Sequence, residues 1–417
     1  MFLTTLFNGF GRFAFYYPIM MAFFWMVGAL YYYFHREHRR PTWQEPPVLA
    51  ETPPVTVLVP CHNEGETVDE TMAALAWQRY PHYEVIAIDD GSTDDTGERL
   101  DAMAAQFPWL RVIHLDRNLG KANALRVGAL ASANEFFVCI DGDALLDPYA
   151  IEWMVMHLTS GPRVGAVTGN PRIRNRSTLL GRLQVGEFSS IIGMIKRAQR
   201  TYGRLFTVSG VICAFRRTAL HRAGYWSDDM VTEDIDISWR LQRDHWDIRY
   251  EPNAMCHILM PETLLGLWKQ RLRWAQGGVE VLRRHGSGLL NWRSRRMWGV
   301  LAEFMFSLFW AYIVAAMITL WLIGLVVELP PPYRISPLIP RWHGIVLGLV
   351  CLLQFAVSHW IDQRYEPRAW RNYYWMIWYP FAYWIINMLT MVVAAPKALF
   401  RRQWSRAIWE SPDRGYR

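Results

Sequence analysis

The hydrophobic pattern divides the chain into an apolar start, an alternating middle and an apolar end. Residues 13–34 carry no charged side chain. At about 1.5 Å of rise per residue, such a run crosses a hydrocarbon core of roughly 30 Å. It is longer than the apolar stretch of a cleaved signal peptide and lacks a small-residue cleavage site. The basic cluster His35-Arg36-Glu37-His38-Arg39-Arg40 follows it, which places the next domain in the cytoplasm. Residues 41–54 contain Pro41, Pro46, Pro47, Pro53 and Pro54 and read as a linker. From Val55 short apolar runs begin: 55–59, 85–88, 112–115 and 136–140. Helical patterns over 67–79, 94–106 and 121–132 separate them. This alternation predicts right-handed βαβ units and a mostly parallel sheet. Ligands of such sheets bind beyond the C-terminal strand ends. There the chain places 61–64, 89–91 and 141–143, all polar clusters.

Beyond about residue 290 the chain turns apolar again. Candidate spans are 298–326, 342–361 and 374–395, the first two separated by Pro330-Pro331-Pro332. The expected organisation is a transmembrane segment (1–40), a linker (41–54), a cytoplasmic catalytic domain (55–260) and amphipathic interfacial helices (261–290). Channel-forming transmembrane helices (291–396) and a basic interfacial tail (397–417) complete it. The topology holds a conflict. One span before the cytoplasmic domain and three after it put the tail outside, whereas Lys397, Arg401, Arg402 and Arg406 argue for inside. A broken or re-entrant helix at Pro380 changes the count by one, so the side of the tail stays open.

Composition sharpens this picture. Hydrophobic residues make up 52% of the 417 and charged residues 19%, with 22 Trp, 19 Tyr and 20 Phe. That balance suits aromatic belts at a lipid bilayer. The net charge of +7 comes from 44 Lys and Arg against 37 Asp and Glu. Many basic residues flank apolar runs, so the positive-inside rule accounts for them and no nucleic-acid partner is implied. The five cysteines form no CxxC pair, which fits a reducing compartment without disulfides.

The candidate chemistry lies at the predicted strand ends. Asp141-Gly142-Asp143 places two carboxylates on one side of an extended segment, with Gly142 allowing close approach of a ligand. Such a pair can hold Mg²⁺ or Mn²⁺ with diphosphate oxygens completing the shell, although a plain turn reads the same way. In Asp89-Asp90-Gly91-Ser92-Thr93-Asp94, Asp89 or Asp90 faces a nucleotide while the later residues cap a helix. Thr232-Glu233-Asp234 opens a helical pattern. Asp234 then sits in the first turn, where the helix dipole keeps a carboxylate ionised, as a general base requires. On the helix beginning near Pro261, Gln270, Arg273 and Trp274 share a face. Arg can fork onto diphosphate and Trp can carry a sugar ring, while an interfacial helix with snorkelling Arg explains the same letters. Lys121 is a candidate phosphate contact, although Gly120-Lys121 lacks Walker A spacing. Ser209-Gly210 reads as a turn opening onto the buried strand Val211–Arg217.

In order, 60–64, 89–94, 120–125, Asp141/Asp143, Ser209-Gly210, 232–234 and 270–274 resemble the processive family 2 glycosyltransferases. Individually weak, the motifs gain specificity from their co-occurrence between membrane spans. Finer features, 169–174 with 177–179, 209–217 and the tail 409–415, look like the bacterial poly-β-1,6-N-acetylglucosamine synthases of biofilms. The resemblance implies an α/β GT-A (Rossmann-like) domain inserted between transmembrane helices of the bacterial inner membrane. It also implies UDP-N-acetylglucosamine as donor, a divalent cation, inversion at the anomeric carbon and passage of the polysaccharide through the membrane helices. Glu64 and Asp89 or Asp90 would hold uridine, and Asp141 and Asp143 diphosphate and metal. Asp234 would be the base, and Gln270, Arg273 and Trp274 would hold the diphosphate and acceptor end. No C-terminal cyclic-di-GMP module is expected, so such control would come through a small membrane subunit. Rival readings are a synthase of another sugar, an enzyme adding one sugar to a lipid carrier, and a transporter whose acidic pairs bind ions.

Overall fold

The computed structural model describes residues 2–330, 333, 342–368, 370–401 and 406–407, so the tail motif at 409–415 and most of the basic tail lie outside the described residues. Eight strands form one sheet: β1 (Val55–Cys61), β2 (Tyr83–Asp89), β3 (Leu110–His114), β4 (Phe136–Ile140), β5 (Leu145–Leu146), β6 (Val164–Ile173), β7 (Ile212–Arg216) and β8 (Asp247–Ile258). Their order is β3-β2-β1-β4-β7-β6-β8-β5. The βαβ half matches the pattern: β3, β2, β1 and β4 run parallel. The expected mostly parallel sheet is found, with β7 and β5 running against the other strands beyond β4. There β7 is antiparallel to both β4 and β6, β8 is parallel to β6, and β5 is antiparallel to β8.

Alternate residues of the central strands serve two cores, which is why those strands read as continuous apolar runs. Val55, Val57 and Val59 face one core with Val68, Met72 and Leu75 of the helix Val68–Ala76. Leu58, Ile86 and Ile88 face the other, with Ala124, Leu125 and Ala129 of the helix Lys121–Ala131. The chain moves outward from β1 to β3 and then crosses to β4 on the other side of β1. That reversal opens a crevice at the C-terminal ends of β1 and β4, the place where such sheets bind ligands.

Four helices are long and apolar enough to cross a membrane: Asn8–Glu37, Trp292–Gly324, Trp342–Asp362 and Tyr383–Phe400. Pro380 lies in the first turn of the helix Tyr379–Phe400 and does not interrupt it. A missing N–H costs nothing at that position. This helix lies along the amphipathic helix Leu264–Leu289. Leu267 packs with Tyr379 and Tyr383, Val279 with Ala395 and Ala398, and Arg401 pairs with Glu280 at 2.9 Å. A buried ionic cluster joins the first and third apolar helices to the sheet. Glu37 binds Arg197 at 2.8 Å, and Asp362 binds Arg172 at 2.8 Å and Arg197 at 3.2 Å.

Candidate active site

The crevice is built from the ends of β1, β2 and β4, the loop before β7 and the start of the helix Glu233–Arg243. Asp90 follows β2. Its buried carboxylate accepts N–H bonds from Leu119 (2.9 Å) and Gly120 (2.7 Å). Gly120 has φ +93, a conformation that L side chains rarely adopt. The clamp fixes the N-terminus of the helix that starts at Lys121. Asp89, one residue earlier, accepts from the Ser92 N–H and meets His114 Nδ1, both at 3.0 Å.

Lys121 is the hub. Its ammonium pairs with Asp141, donates to the Gly210 carbonyl at 3.3 Å and lies 3.6 Å from Glu233. Burial opposes the charge, but Asp141, Glu233 and Asp234 together hold the ammonium well above the usual lysine range. A methyl placed on Gly210 would sit 3.3 Å from Asp234 Oδ2 and 3.4 Å from Lys121 Nζ. That one point therefore gathers the turn, the hub lysine and the candidate base.

Asp234 opens its helix from the predicted N-terminal turn, and its Oδ1 accepts the Ile235 N–H at 2.9 Å. Burial and the neighbouring Glu233 carboxylate push its pKa up to about 6, against the pull of Lys121 and Arg273. Asp143 is buried. Burial, then the adjacent Asp141 charge, raises it to about 7. A carboxylate held so unfavourably is a group that a cation would relieve. Among the described residues no cluster of three or more His, Cys, Asp and Glu side chains could hold a metal. A cation held by Asp141 and Asp143 would leave coordination positions open to diphosphate oxygens and water.

Glu64 is buried at the end of β1 and accepts from Thr67 Oγ1 at 3.1 Å. The Asp141–Asp143 turn packs against β1 at Gly142. The space a side chain there would take is filled by Cys61 Sγ and Glu64 Cγ, both at 3.1 Å. The glycine thus lets β1 and the Asp141–Asp143 turn pack together.

Gln270, Arg273 and Trp274 lie on the helix Leu264–Leu289. Arg273 is exposed, and its charge reaches Asp234. Gln270 Nε2 turns to Met260 Sδ at 3.7 Å, leaving its Oε1 buried without a partner among the described residues. Trp274 is half-buried, with the Arg271 guanidinium 4.4 Å from its ring centroid. Arg271 also pairs with Glu187 at 2.5 Å, and neither was singled out from the sequence. Lys196 was missed as well. It is buried and donates to Thr168 Oγ1 (2.7 Å) and to Ser209 Oγ (3.1 Å), behind the Ser209-Gly210 turn. Burial lowers its pKa to about 7, with the charge of Asp234 among the groups pushing back. The one available signal was a lysine directly after the apolar run Ile191–Ile195.

A family model described as "Glycosyltransferase like family 2" matches residues 53–277. Similar proteins include the poly-beta-1,6-N-acetyl-D-glucosamine synthases of Staphylococcus aureus (strain COL) and Staphylococcus epidermidis (strain ATCC 35984). Each is 39% identical over 97% of this chain and 98% of its own length. Among solved structures, the mannosyltransferase PcManGT from Pyrobaculum calidifontis, in complex with GDP-Man and Mn²⁺, superposes with a TM-score of 0.59. It shares 22% identity, covering 92% of this chain and 98% of that one. The domain is a GT-A-like glycosyltransferase fold with a mixed sheet. Its strand-end acidic motifs and the family match together make the chain an enzyme of glycosyltransferase family 2.

Proposed function

We propose that this enzyme polymerises N-acetylglucosamine from UDP-N-acetylglucosamine into poly-β-1,6-N-acetylglucosamine at the cytoplasmic face of the inner membrane, and passes the product through its apolar helices. The carrying observation is the single cluster in which Lys121 joins Asp141, Glu233 and the Gly210 turn beside Asp234. The long match to the two staphylococcal synthases supports the choice of sugar and linkage.

Glu64 and Asp90 line the nucleotide end of the crevice, with Asp89 behind them holding Ser92 and His114. Asp141 and Asp143 would hold Mg²⁺ or Mn²⁺, which supplies positive charge against the donor diphosphate. Asp234 takes the proton of an acceptor hydroxyl. That oxygen forms a bond to C1 of the donor as the C1–oxygen bond to UDP breaks, so one displacement inverts the anomeric centre. Lys121 and Arg273 hold positive charge beside the departing diphosphate. With a pKa of about 6, Asp234 is ionised at neutral pH and still basic enough to accept a proton. Gln270 and Trp274 position the acceptor sugar. A small membrane subunit would be the route for any cyclic-di-GMP control.

The test supplies membranes holding the full chain with single UDP-sugars, with and without EDTA, and digests the product with a β-1,6-specific hydrolase. The proposal expects polymer from UDP-N-acetylglucosamine alone, cut by that hydrolase, abolished by EDTA and restored by Mg²⁺. Polymer from a different UDP-sugar, or full synthesis in chelator, contradicts it.

A further inference from the structure

A second cavity, of about 360 Å³, lies away from the crevice. Arg163, Arg204, Arg243 and His245 of the catalytic domain form one wall. Arg293, Arg295 and Arg296 of the turn Trp292–Met297 form the other, just before the apolar helix Trp298–Gly324. We propose that this cavity binds a phosphate-bearing anion where the catalytic domain meets the membrane.

The charge in the cavity is not neutralised from within. Asp247 is the one acidic residue lining it. It is already shared by Arg200 at 2.9 Å, Arg249 at 3.2 Å and Arg204 at 3.7 Å. Arg163, Arg243, Arg293, Arg295 and Arg296 form no ion pair with a carboxylate among the described residues. Arg243 instead meets His285 Nδ1 at 2.9 Å. Arg204 is 8% exposed. Burial lowers its pKa, with the Arg296 and Arg200 charges adding to the effect against Asp247. Like charges gathered in one pocket, with Arg204 buried among them, repel one another unless an anion joins them, and arginine forks match phosphate oxygens.

A positive-inside cluster explains the arginines at 293–296 but not those facing them from elsewhere in the sequence. The site also lies where a bilayer surface would be. Trp292 and Trp298 beside it are 67% and 39% exposed, with ring centroids 5.6 Å apart. Aromatic pairs of this kind sit at headgroup level. The helix Glu233–Arg243 carries Asp234 at one end and lends Gln242 and Arg243 to the cavity at the other. An occupant would therefore fix the far end of the helix that presents Asp234.

The phosphate could belong to a lipid headgroup or to a soluble phosphate ester. The experiment records thermal unfolding of the full chain in neutral detergent, titrated with phosphatidylglycerol or with glycerol phosphate at matched ionic strength. A ligand that binds the folded state raises the midpoint saturably. The expected result is such a rise, with the half-saturating concentration increased roughly tenfold or more in Arg293→Gln/Arg296→Gln and in Arg163→Gln. All three side chains are exposed, so folding should survive. The Arg36→Gln/Arg39→Gln control, which removes equal charge near the other apolar helix, should behave as wild type. A response to phosphatidylglycerol alone assigns a lipid headgroup, and a response to glycerol phosphate as well assigns a free phosphate ester. No saturable rise with either probe, or a loss equal in the control, overturns the proposal.

Discussion

At the residue scale, two aspartates of one helix show how local surroundings divide labour. Asp234 is raised to about 6, first by burial and then by Glu233. The folded chain therefore binds its proton more tightly than the unfolded chain does. Stability is lost as pH rises from the ordinary aspartate range through about 6, so Asp234→Asn should unfold at a higher temperature than wild type at pH 8 while making no polymer. Wild-type synthesis should fall as pH drops through about 6, a limb visible in rates measured from pH 5 to 8. Burial would also raise Asp236, but the His285 hydrogen bond, the Arg240 and His285 charges and the Ser227 hydroxyl outweigh it and bring it to about 2. Its contribution is complete above the ordinary aspartate pKa and is lost as pH falls toward 2. At about 1.4 kcal/mol per unit, Asp236→Asn should cost roughly 2 kcal/mol at neutral pH, read as a lower unfolding temperature in detergent. The placement of Asp141, Asp143 and Asp234 was legible because each sits next to a recognisable strand or helix end. Lys196 was not legible, because its partners Thr168 and Ser209 lie on other elements.

At the scale of elements, the parallel half of the sheet was readable from alternating runs and helices. The mixed half was not. β6 contains Pro171 and β8 contains Pro252, and proline within a run argues against a strand. The register shifts between Thr168 and Asn170 absorb such irregularity, with Asn170 Nδ2 bonding the Pro252 carbonyl at 2.8 Å. The last apolar helix is where sequence left two topologies open. It runs beside the amphipathic helix from Leu267 to Glu280, and its far end returns Arg401 to Glu280 and to the Asp229 carbonyl. Both its ends thus contact the helix that carries Gln270, Arg273 and Trp274. This arrangement predicts that residue 406 lies on the cytoplasmic side. The cysteine of Arg406→Cys should react with a membrane-impermeant maleimide in inverted vesicles and not in right-side-out ones, since the five native cysteines are buried. The reverse pattern requires the last helix to cross.

On the scale of the whole molecule, the catalytic domain is keyed to the apolar helices by charge as well as by packing. Arg197 holds Glu37 and Asp362 together, and Tyr365 adds its hydroxyl to Glu37 at 2.7 Å. Removing one member of a buried pair leaves the other uncompensated, at a cost of about 3–5 kcal/mol. Arg197→Met should therefore reduce the yield of folded protein sharply, whereas Arg99→Ala, which breaks an exposed pair with Asp69, should not. Size-exclusion profiles of the two variants check this. One crevice, with Asp234 as its base, is expected to build the polymer. The most direct measurement compares wild type and Asp234→Asn, reconstituted as full chains and supplied with UDP-[¹⁴C]N-acetylglucosamine, by the rate and length of labelled product. A long, β-1,6-hydrolase-sensitive polymer from wild type, with a rate at least about a hundredfold lower in the variant, is the predicted result. Equal polymer from both would remove Asp234 from the chemistry.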